Sequence, residues 1–111
     1  MPFGKHPIHE IKASFFRVLG HPARVRILEL LRDGERSVGS LQAELGLDSS
    51  STSQHLSALR RIGLLETRRE GTNVYYRVED DQVFDLLAVA REILTRRLAS
   101  QQSLLRELEA E

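Results

Sequence analysis

The chain has 111 residues, of which 16 are basic and 16 acidic, and it contains no cysteine. A chain of this length supports one hydrophobic core, so we expect a single domain over residues 1–111. The missing cysteine excludes disulfide bonds, thiolate metal sites and thiol redox switches. No apolar run approaches the roughly 18 residues of a membrane helix, and no signal-peptide core is found, so we expect a cytoplasmic protein without a membrane partner.

The net charge of zero hides an uneven distribution along the chain. Residues 1–46 and residues 47–78 each have a net charge of +2, whereas residues 79–111 have −4. Arginine makes up 14 of the 16 basic residues, and it suits bidentate contacts with phosphate, although arginine richness equally reflects genome composition. Neutrality therefore does not exclude a nucleic-acid partner.

Four short helices are predicted in the first half of the chain, because apolar residues recur there at helical spacing between glycines. Pro22 suits the first turn of the second helix, Ser37 suits the cap of the third, and Asp48 or Ser49 suits the cap of the fourth. The glycines that follow suit helix ends. The predicted helices cover about residues 8–19, 21–33, 38–45 and 49–62, and Gly34 ends the second.

Two short strands and a long helix are predicted in the second half. Leu64 to Arg69 and Thr72 to Val78 are β-like runs separated by Glu70-Gly71, a hairpin signal. The last helix is capped by Asp80 or Asp81. The order predicts a mainly α winged helix-turn-helix fold with a small β-hairpin. Its parts are an N-terminal arm (1–7), a helix-turn-helix (38–62), a wing (64–78) and a C-terminal dimerisation helix (80–110).

The first and last helices carry more apolar surface than a small winged core covers. An unburied stripe of this kind indicates a partner, and a symmetric homodimer is the commonest solution. We therefore expect both helices to pack against their copies in a second chain. The predicted interface residues are Ile11, Phe15, Phe84, Leu87, Ile93, Leu94 and Leu98.

The fourth helix has one apolar and one polar side on a helical wheel. Thr52, Leu56, Leu59 and Gly63 form the predicted core side. The opposite side carries Ser50, Gln54, Ser57 and Arg61, with Ser51 and Ala58 beside them. Short polar groups allow a helix to approach the major groove of DNA, and glutamine pairs bidentately with adenine. The alternative is a solvated amphipathic face with a serine-rich cap.

The wing carries further polar and basic residues. Arg68 and Arg69 precede the turn, Asn73 follows it, and Arg77 lies on the exposed face, so the hairpin is suited to contact phosphates or the minor groove. The alternative is edge protection, because charges on a hairpin deter strand pairing. The two roles are compatible.

Three motifs in order, "FFRVLGHPARVRILELL", "LGLDSSSTSQHLSALRRIGLL" and "RREGTNVYYRV", resemble the ArsR/SmtB family of winged-helix transcriptional regulators. The resemblance covers roughly residues 12–98. It implies a homodimeric repressor on an imperfect inverted repeat of double-stranded DNA, and no enzyme. In that family the segment matching Ser49–His55 reads the major groove and the hairpin matching Arg68–Asn73 touches the minor groove or the backbone.

Carried over residue by residue, the resemblance implies a DNA-binding role for Ser49 and base-proximal roles for Ser50, Ser51, Ser53, Gln54 and His55. It also implies phosphate contacts for Arg24 and Arg61. A structural hydrogen bond explains His55 as well as a DNA contact does. A capping or backbone contact explains Ser53 as well as base readout does. Gln54 is the residue that we expect to discriminate between sequences.

Many members of this family respond to a metal, but both familiar sites are missing here. The thiolate motif falls on Ser37-Val38-Gly39, and the later positions of the last-helix site fall on about Ile93 and Arg96, none of which is a ligand. One group remains in "GKHPIHE", where His6, His9 and Glu10 suit a divalent transition metal such as nickel or zinc. The alternative is a polar terminus or a favourable charge at a helix start.

Other functions are weighed against this interpretation. A metal-independent regulator would respond to a small ligand or a regulatory partner protein. A winged-helix interaction module without DNA would need apolar or aromatic anchors on the fourth helix, which has none. An enzyme is disfavoured because the sequence shows no glycine-rich phosphate loop and no local nucleophile-base arrangement.

Overall fold

The computed structural model describes residues 7–111, which form two compact units. The first unit extends to Asp80 and the second begins at Asp81. The first contains four helices, α1 to α4, and three strands, β1 to β3, and the second is the single helix α5. The elements are α1 Ile8–Leu19, α2 Pro22–Leu30, β1 Arg36–Ser37, α3 Val38–Leu45, α4 Ser49–Arg61, β2 Leu65–Glu70, β3 Asn73–Val78 and α5 Gln82–Ala110.

The helix-turn-helix is formed by α3 and α4, and local hydrogen bonds fix both ends of its turn. The Ser37 hydroxyl accepts a hydrogen bond from the Ser40 amide at the start of α3. Gly46 ends α3 with a φ of 65°, a left-handed conformation that disfavours other residues. Asp48 then caps α4, as the sequence predicted.

The wing is a hairpin of β2 and β3 with a third, short strand beside it. The sheet has the order β1-β3-β2, and both pairings are antiparallel. Arg36 and Ser37 of β1 pair with Tyr76 and Tyr75 of β3. The strand β1 was not predicted from the sequence, because two residues are too few to show a period of alternation.

The core of the first unit contains the apolar sides of its helices and the base of the wing. Thr52, Leu56 and Leu59 of α4 are fully buried, as the wheel predicted. The prediction for Gly63 was wrong, because Gly63 is exposed and lies beyond the end of α4 with a φ of 84°. The other buried apolar residues of the unit are Leu19, Ile27, Leu28, Leu31, Leu41, Leu64, Leu65 and Val78.

The helix α5 carries a long apolar stripe. At 100° per residue, Leu94, Leu98, Leu105 and Leu108 fall within one narrow arc, and each is more than half exposed. Ser103 lies on the opposite side and donates a hydrogen bond to the Ala99 carbonyl. No helix among residues 7–111 has the length and apolarity needed to cross a membrane.

Candidate nucleic-acid interface

The N-terminus of α4 is held in place by its capping residue. The Asp48 carboxylate accepts a hydrogen bond from the Ser51 amide at 3.3 Å, and the Thr52 hydroxyl donates to the Asp48 carbonyl at 2.9 Å. Hydrogen bonds from the side chain and backbone of Ser51 lower the pKa of Asp48 below its usual value. The carboxylate is therefore engaged by the helix itself, and it stays ionised at neutral pH.

One side of α4 forms a shallow concavity in which six of the predicted DNA-binding residues meet. The lining side chains carry hydroxyl, amide and guanidinium groups, and none of them is a carboxylate. They are Arg24, Ser49, Ser50, Ser53, Gln54, Ser57, Ala58 and Arg61. The structure thus brings Arg24 of α2 beside α4, although 25 residues or more separate them in the chain.

Arg24 bridges three helices. Its Nε donates to Nδ1 of His55 at 3.1 Å, and its Nη1 donates to the Val18 carbonyl at 3.2 Å. The side chain is half-buried, so its orientation is defined by these two bonds. Arg24 therefore links α1 and α2 to α4 and also lines the α4 concavity.

His55 and Ser51 lie on a different side of α4 from Gln54. Both line a groove with α2 and the α3–α4 turn, which also includes His21, Arg26 and Glu44. The rings of His55 and His21 are 4.3 Å apart between centroids. The structural hydrogen bond that the sequence analysis weighed for His55 is present, with Arg24 as its donor.

Arg68 and Arg69, the two consecutive arginines of β2, point to opposite faces of the hairpin. Arg68 forms a bidentate ion pair with Glu35, a second ion pair with Glu70, and lies over the Tyr75 ring at 4.5 Å. The hydrogen bond from Arg68 lowers the pKa of Glu35, and the hydrogen bonds to Glu35 and Glu70 raise the pKa of Arg68. Arg68 is therefore neutralised within the protein.

Arg69 faces the other way, into a groove between the wing, α4 and the start of α3. Asn73 lines the same groove, as do Ser53 and Arg60 of α4. Arg60 was not among the residues predicted from the sequence to bind DNA. Its spacing of seven residues from Ser53 was the signal that could have found it, because residues i and i+7 share a helix face.

Among residues 7–111, two arginines of α4 and one of the wing have side chains without a partner, unlike Arg68. Within the described part of the chain, the side chains of Arg60, Arg61 and Arg69 form no ion pair and no hydrogen bond. Arg77, by contrast, is paired with Glu66 on the same face as Arg68. The polar face of α4 is therefore flanked by positive charge that no carboxylate of the described residues pairs with.

The described residues do not fit the metal sites that the family resemblance implies. The Ser37 hydroxyl is used as a cap, Gly39 has no side chain, and Ile93 and Arg96 are exposed non-ligands. Among residues 7–111 there is no cluster of three or more histidine, aspartate or glutamate side chains that would hold a metal. His9 and Glu10 are exposed in the first turn of α1, and His6 lies outside the described residues.

The predicted interface residues of the two units differ in exposure. In the first unit Ile11 and Phe15 are half-buried, and the exposed aromatic residue of α1 is the neighbouring Phe16. In α5 the predicted interface residues of the first two turns are half-buried, and those further along are exposed. Phe84 and Leu87 belong to the first group, and Ile93, Leu94 and Leu98 to the second.

The fold and this surface define a winged helix-turn-helix protein, in which α4 occupies the position of the recognition helix. Comparisons with known proteins agree. Residues 21–67 match the family model described as "Bacterial regulatory protein, arsR family". The chain is 46% identical over 105 residues to the uncharacterized HTH-type transcriptional regulator Rv0081 of Mycobacterium tuberculosis, which covers 94% of this chain and 92% of that protein.

Solved structures show the same similarity. The crystal structure of Rv0081 has a TM-score of 0.81 and covers 87% of this chain and 98% of its own. The NMR structure of Mb0332 from Mycobacterium bovis, described as a homodimeric winged helix-turn-helix DNA-binding domain, is 34% identical with a TM-score of 0.72, over 82% and 84% of the two chains. A probable mercury resistance operon repressor of Streptomyces lividans is 36% identical, over 78% of this chain and 67% of that protein.

The chain therefore belongs to the arsR family of bacterial regulatory proteins. This membership confirms the predicted fold class and the prediction that the protein is a transcriptional regulator and not an enzyme.

The environment of His55 leads to a prediction about pH. Burial, followed by the charges of His21 and Arg24, lowers the pKa of His55 below its usual 6.5. Because the folded state disfavours the protonated imidazole, the loss of folding stability begins as the pH falls below 6.5. It is complete below the lowered pKa, where Nδ1 no longer accepts the Arg24 hydrogen bond.

NMR titration of the imidazole protons should therefore show His55 titrating below the usual histidine value. In the Arg24→Gln variant one of the charges that lower the pKa is removed, and the His55 pKa should rise. A wild-type His55 that titrates at or above the usual value would contradict the contacts described here.

Proposed function

We propose that this regulator is a homodimeric repressor that binds an inverted-repeat operator in double-stranded DNA, with α4 in the major groove and the wing beside it. The observation that carries the proposal is the α4 concavity. Hydroxyl and amide groups occupy its N-terminal part, the unpaired Arg61 lies at its C-terminal end, and no carboxylate lines it.

The order of side chains along α4 suits a helix that approaches base edges. Ser50, Ser53 and Ser57 are short, so the helix backbone can come close to the floor of the groove. Gln54 lies among them, and its amide matches the donor and acceptor pair that adenine presents in the major groove. Arg61 lies further along the helix, where a guanidinium is suited to a phosphate.

The dimer is supported by the apolar stripe of α5. Four leucines within one arc of a helix, each more than half exposed, favour burial against a second apolar surface. The relative Mb0332 is described as homodimeric, which supports the same assembly here. Two copies of α4 would then lie about 34–36 Å apart, so that both enter the major groove on one side of the duplex.

Repression is supported by the relative from Streptomyces lividans, which is named an operon repressor. A dimer bound at a promoter excludes other proteins from that DNA. Because the partner is promoter DNA, we propose that the regulator acts in the cytoplasm. A protein-interaction module without DNA is disfavoured, because the exposed face of α4 offers no apolar or aromatic anchor.

The division of roles along α4 is testable by fluorescence anisotropy on an operator duplex and a random duplex. Gln54→Ala should reduce discrimination between the two by about 1–3 kcal/mol, because a bidentate base contact is lost. Arg61→Gln should weaken binding to both equally and flatten the salt dependence by about one unit of slope.

Arg77→Gln is the matched control for charge, because Arg77 is already paired with Glu66. This substitution should leave the affinities for the operator duplex and the random duplex near those of the wild type. Equal losses on both duplexes for Gln54→Ala would show that Gln54 does not read bases.

The dimer is testable by analytical ultracentrifugation of the Leu94→Glu/Leu98→Glu variant. Two carboxylates placed in the apolar stripe should convert the dimer to a monomer, and binding to the full operator should fall toward that of a half-site. Ser103→Glu adds a carboxylate to the opposite side of α5 and should remain dimeric. A double variant that still sediments as a dimer would exclude this stripe as the interface.

Metal responsiveness is the finer proposal, and it concerns His6, His9 and Glu10. Imidazole nitrogens suit nickel and zinc, and a dimer partner would complete the ligand set. Calorimetric titration of nickel and of zinc should show tighter binding by the wild type than by His6→Ala/His9→Ala. Equal binding by both proteins would favour a metal-independent regulator that responds to a small ligand or a partner protein.

A further inference from the structure

The groove between the wing and the helix-turn-helix is separate from the α4 concavity. One wall is the hairpin face that carries Arg69 and Tyr76, and the other is the side of α4 that carries Ser53 and Arg60. The start of α3 closes one end, and the whole space has a volume of about 600 Å³. This volume is large enough for a nucleotide-sized group, because ligand sites begin at roughly 300 Å³.

The charges around this groove are all of one sign. Arg60 and Arg69 reach it from opposite walls, and neither has a partner within the described residues. The remaining lining residues are uncharged, so there is no carboxylate in the groove to neutralise them. Two like charges that converge in this way are stabilised when an anion binds between them.

The opposite face of the same hairpin shows that the pattern is not general to the wing. There Arg68 is held by Glu35 and Glu70, and Arg77 is held by Glu66. The wing therefore has one face with compensated charges and one face with uncompensated charges. The uncompensated face is the one turned toward α4.

We propose that this groove is a phosphate-binding site in which Arg60 and Arg69 together hold one phosphate group. Planar guanidinium groups match the oxygens of a phosphate in pairs, and the hydroxyl groups of Thr67 and Thr72 on the wing supply further donors. This site rests on the proposed function, because its ligand is a phosphodiester group of the bound DNA strand.

Ser53 gives the physical reason for this connection. It lines both this groove and the α4 concavity, so it lies on the ridge between them. A DNA strand that lies against α4 would cross this ridge and place its backbone in the groove. A free phosphate compound has the same chemistry, and it would bind here without DNA and compete with it.

The first experiment measures DNA affinity between 50 and 200 mM salt for the wild type, Arg60→Gln, Arg69→Gln, the double variant and Arg77→Gln. Each single groove variant should lose about one unit of the salt slope on the random duplex as well as on the operator. If both arginines hold one phosphate, the double variant should lose no more slope than either single variant. Arg77→Gln should keep the wild-type slope, and thermal melting should show that all five proteins are folded.

A second measurement separates the two sources of phosphate. Inorganic pyrophosphate is titrated into the DNA-free protein, and the backbone amide NMR signals of the groove residues Ser53, Thr67 and Thr72 are followed. Saturable shifts that vanish in the double variant, together with displacement of DNA, identify free phosphate as an additional ligand. If pyrophosphate causes no shifts but the salt slopes change as described, the DNA backbone is the only source of the bound phosphate. Either result supports a phosphate site in this groove.

If Arg60→Gln and Arg69→Gln keep the wild-type salt slope of DNA affinity, the phosphate site is overturned. Additive slope losses in the double variant would also overturn it, because they would mean that the two arginines contact two separate phosphates. Failure of the proposed function looks different. In that case the wild type would bind the operator and the random duplex equally, while the slope comparison on random DNA would still decide whether the groove holds a phosphate.

Discussion

The burial of one side of α4 is the constraint on which the rest of the site depends. Thr52, Leu56 and Leu59 are fully buried, and their spacing fixes the rotation of the helix about its axis. Once these three face the core, Gln54 and the exposed serines must face outward. The Asp48 cap and the Thr52 hydroxyl hold the first turn, so the same residues also set where the helix begins.

The pairing of arginines decides which parts of this outward surface attract an anion. Surface ion pairs contribute little to folding stability, but an arginine that is paired with a carboxylate is less available to bind an external anion. In the wing, carboxylates engage Arg68 and Arg77, whereas Arg69 on the other face has no partner. With Arg60 and Arg61, the unpaired charges lie on both sides of the polar face of α4. A protein with no net charge thereby presents a cationic surface where the fold presents its recognition helix.

Local features of the site were predictable from the sequence, because neighbouring residues determine them. Ser37, Gly46 and Asp48 act within a few residues, and the core side of α4 follows from the helical period. The wheel failed only at Gly63, where the helix had already ended. The pairing of Arg68 with Glu35 spans 33 residues and that of Arg24 with His55 spans 31, so the wing's two faces and the His55 contact needed the structure.

Chemical-shift mapping of the isotope-labelled protein with its own operator duplex tests the central claim most directly. The account predicts shifts in the backbone of Ser50, Ser53 and Gln54 and in the side chains of Arg60, Arg61 and Arg69. It predicts that Glu35 and Arg68 on the other face of the wing keep their signals. Shifts concentrated on Glu35 and Arg68, with unchanged signals along α4, would contradict it.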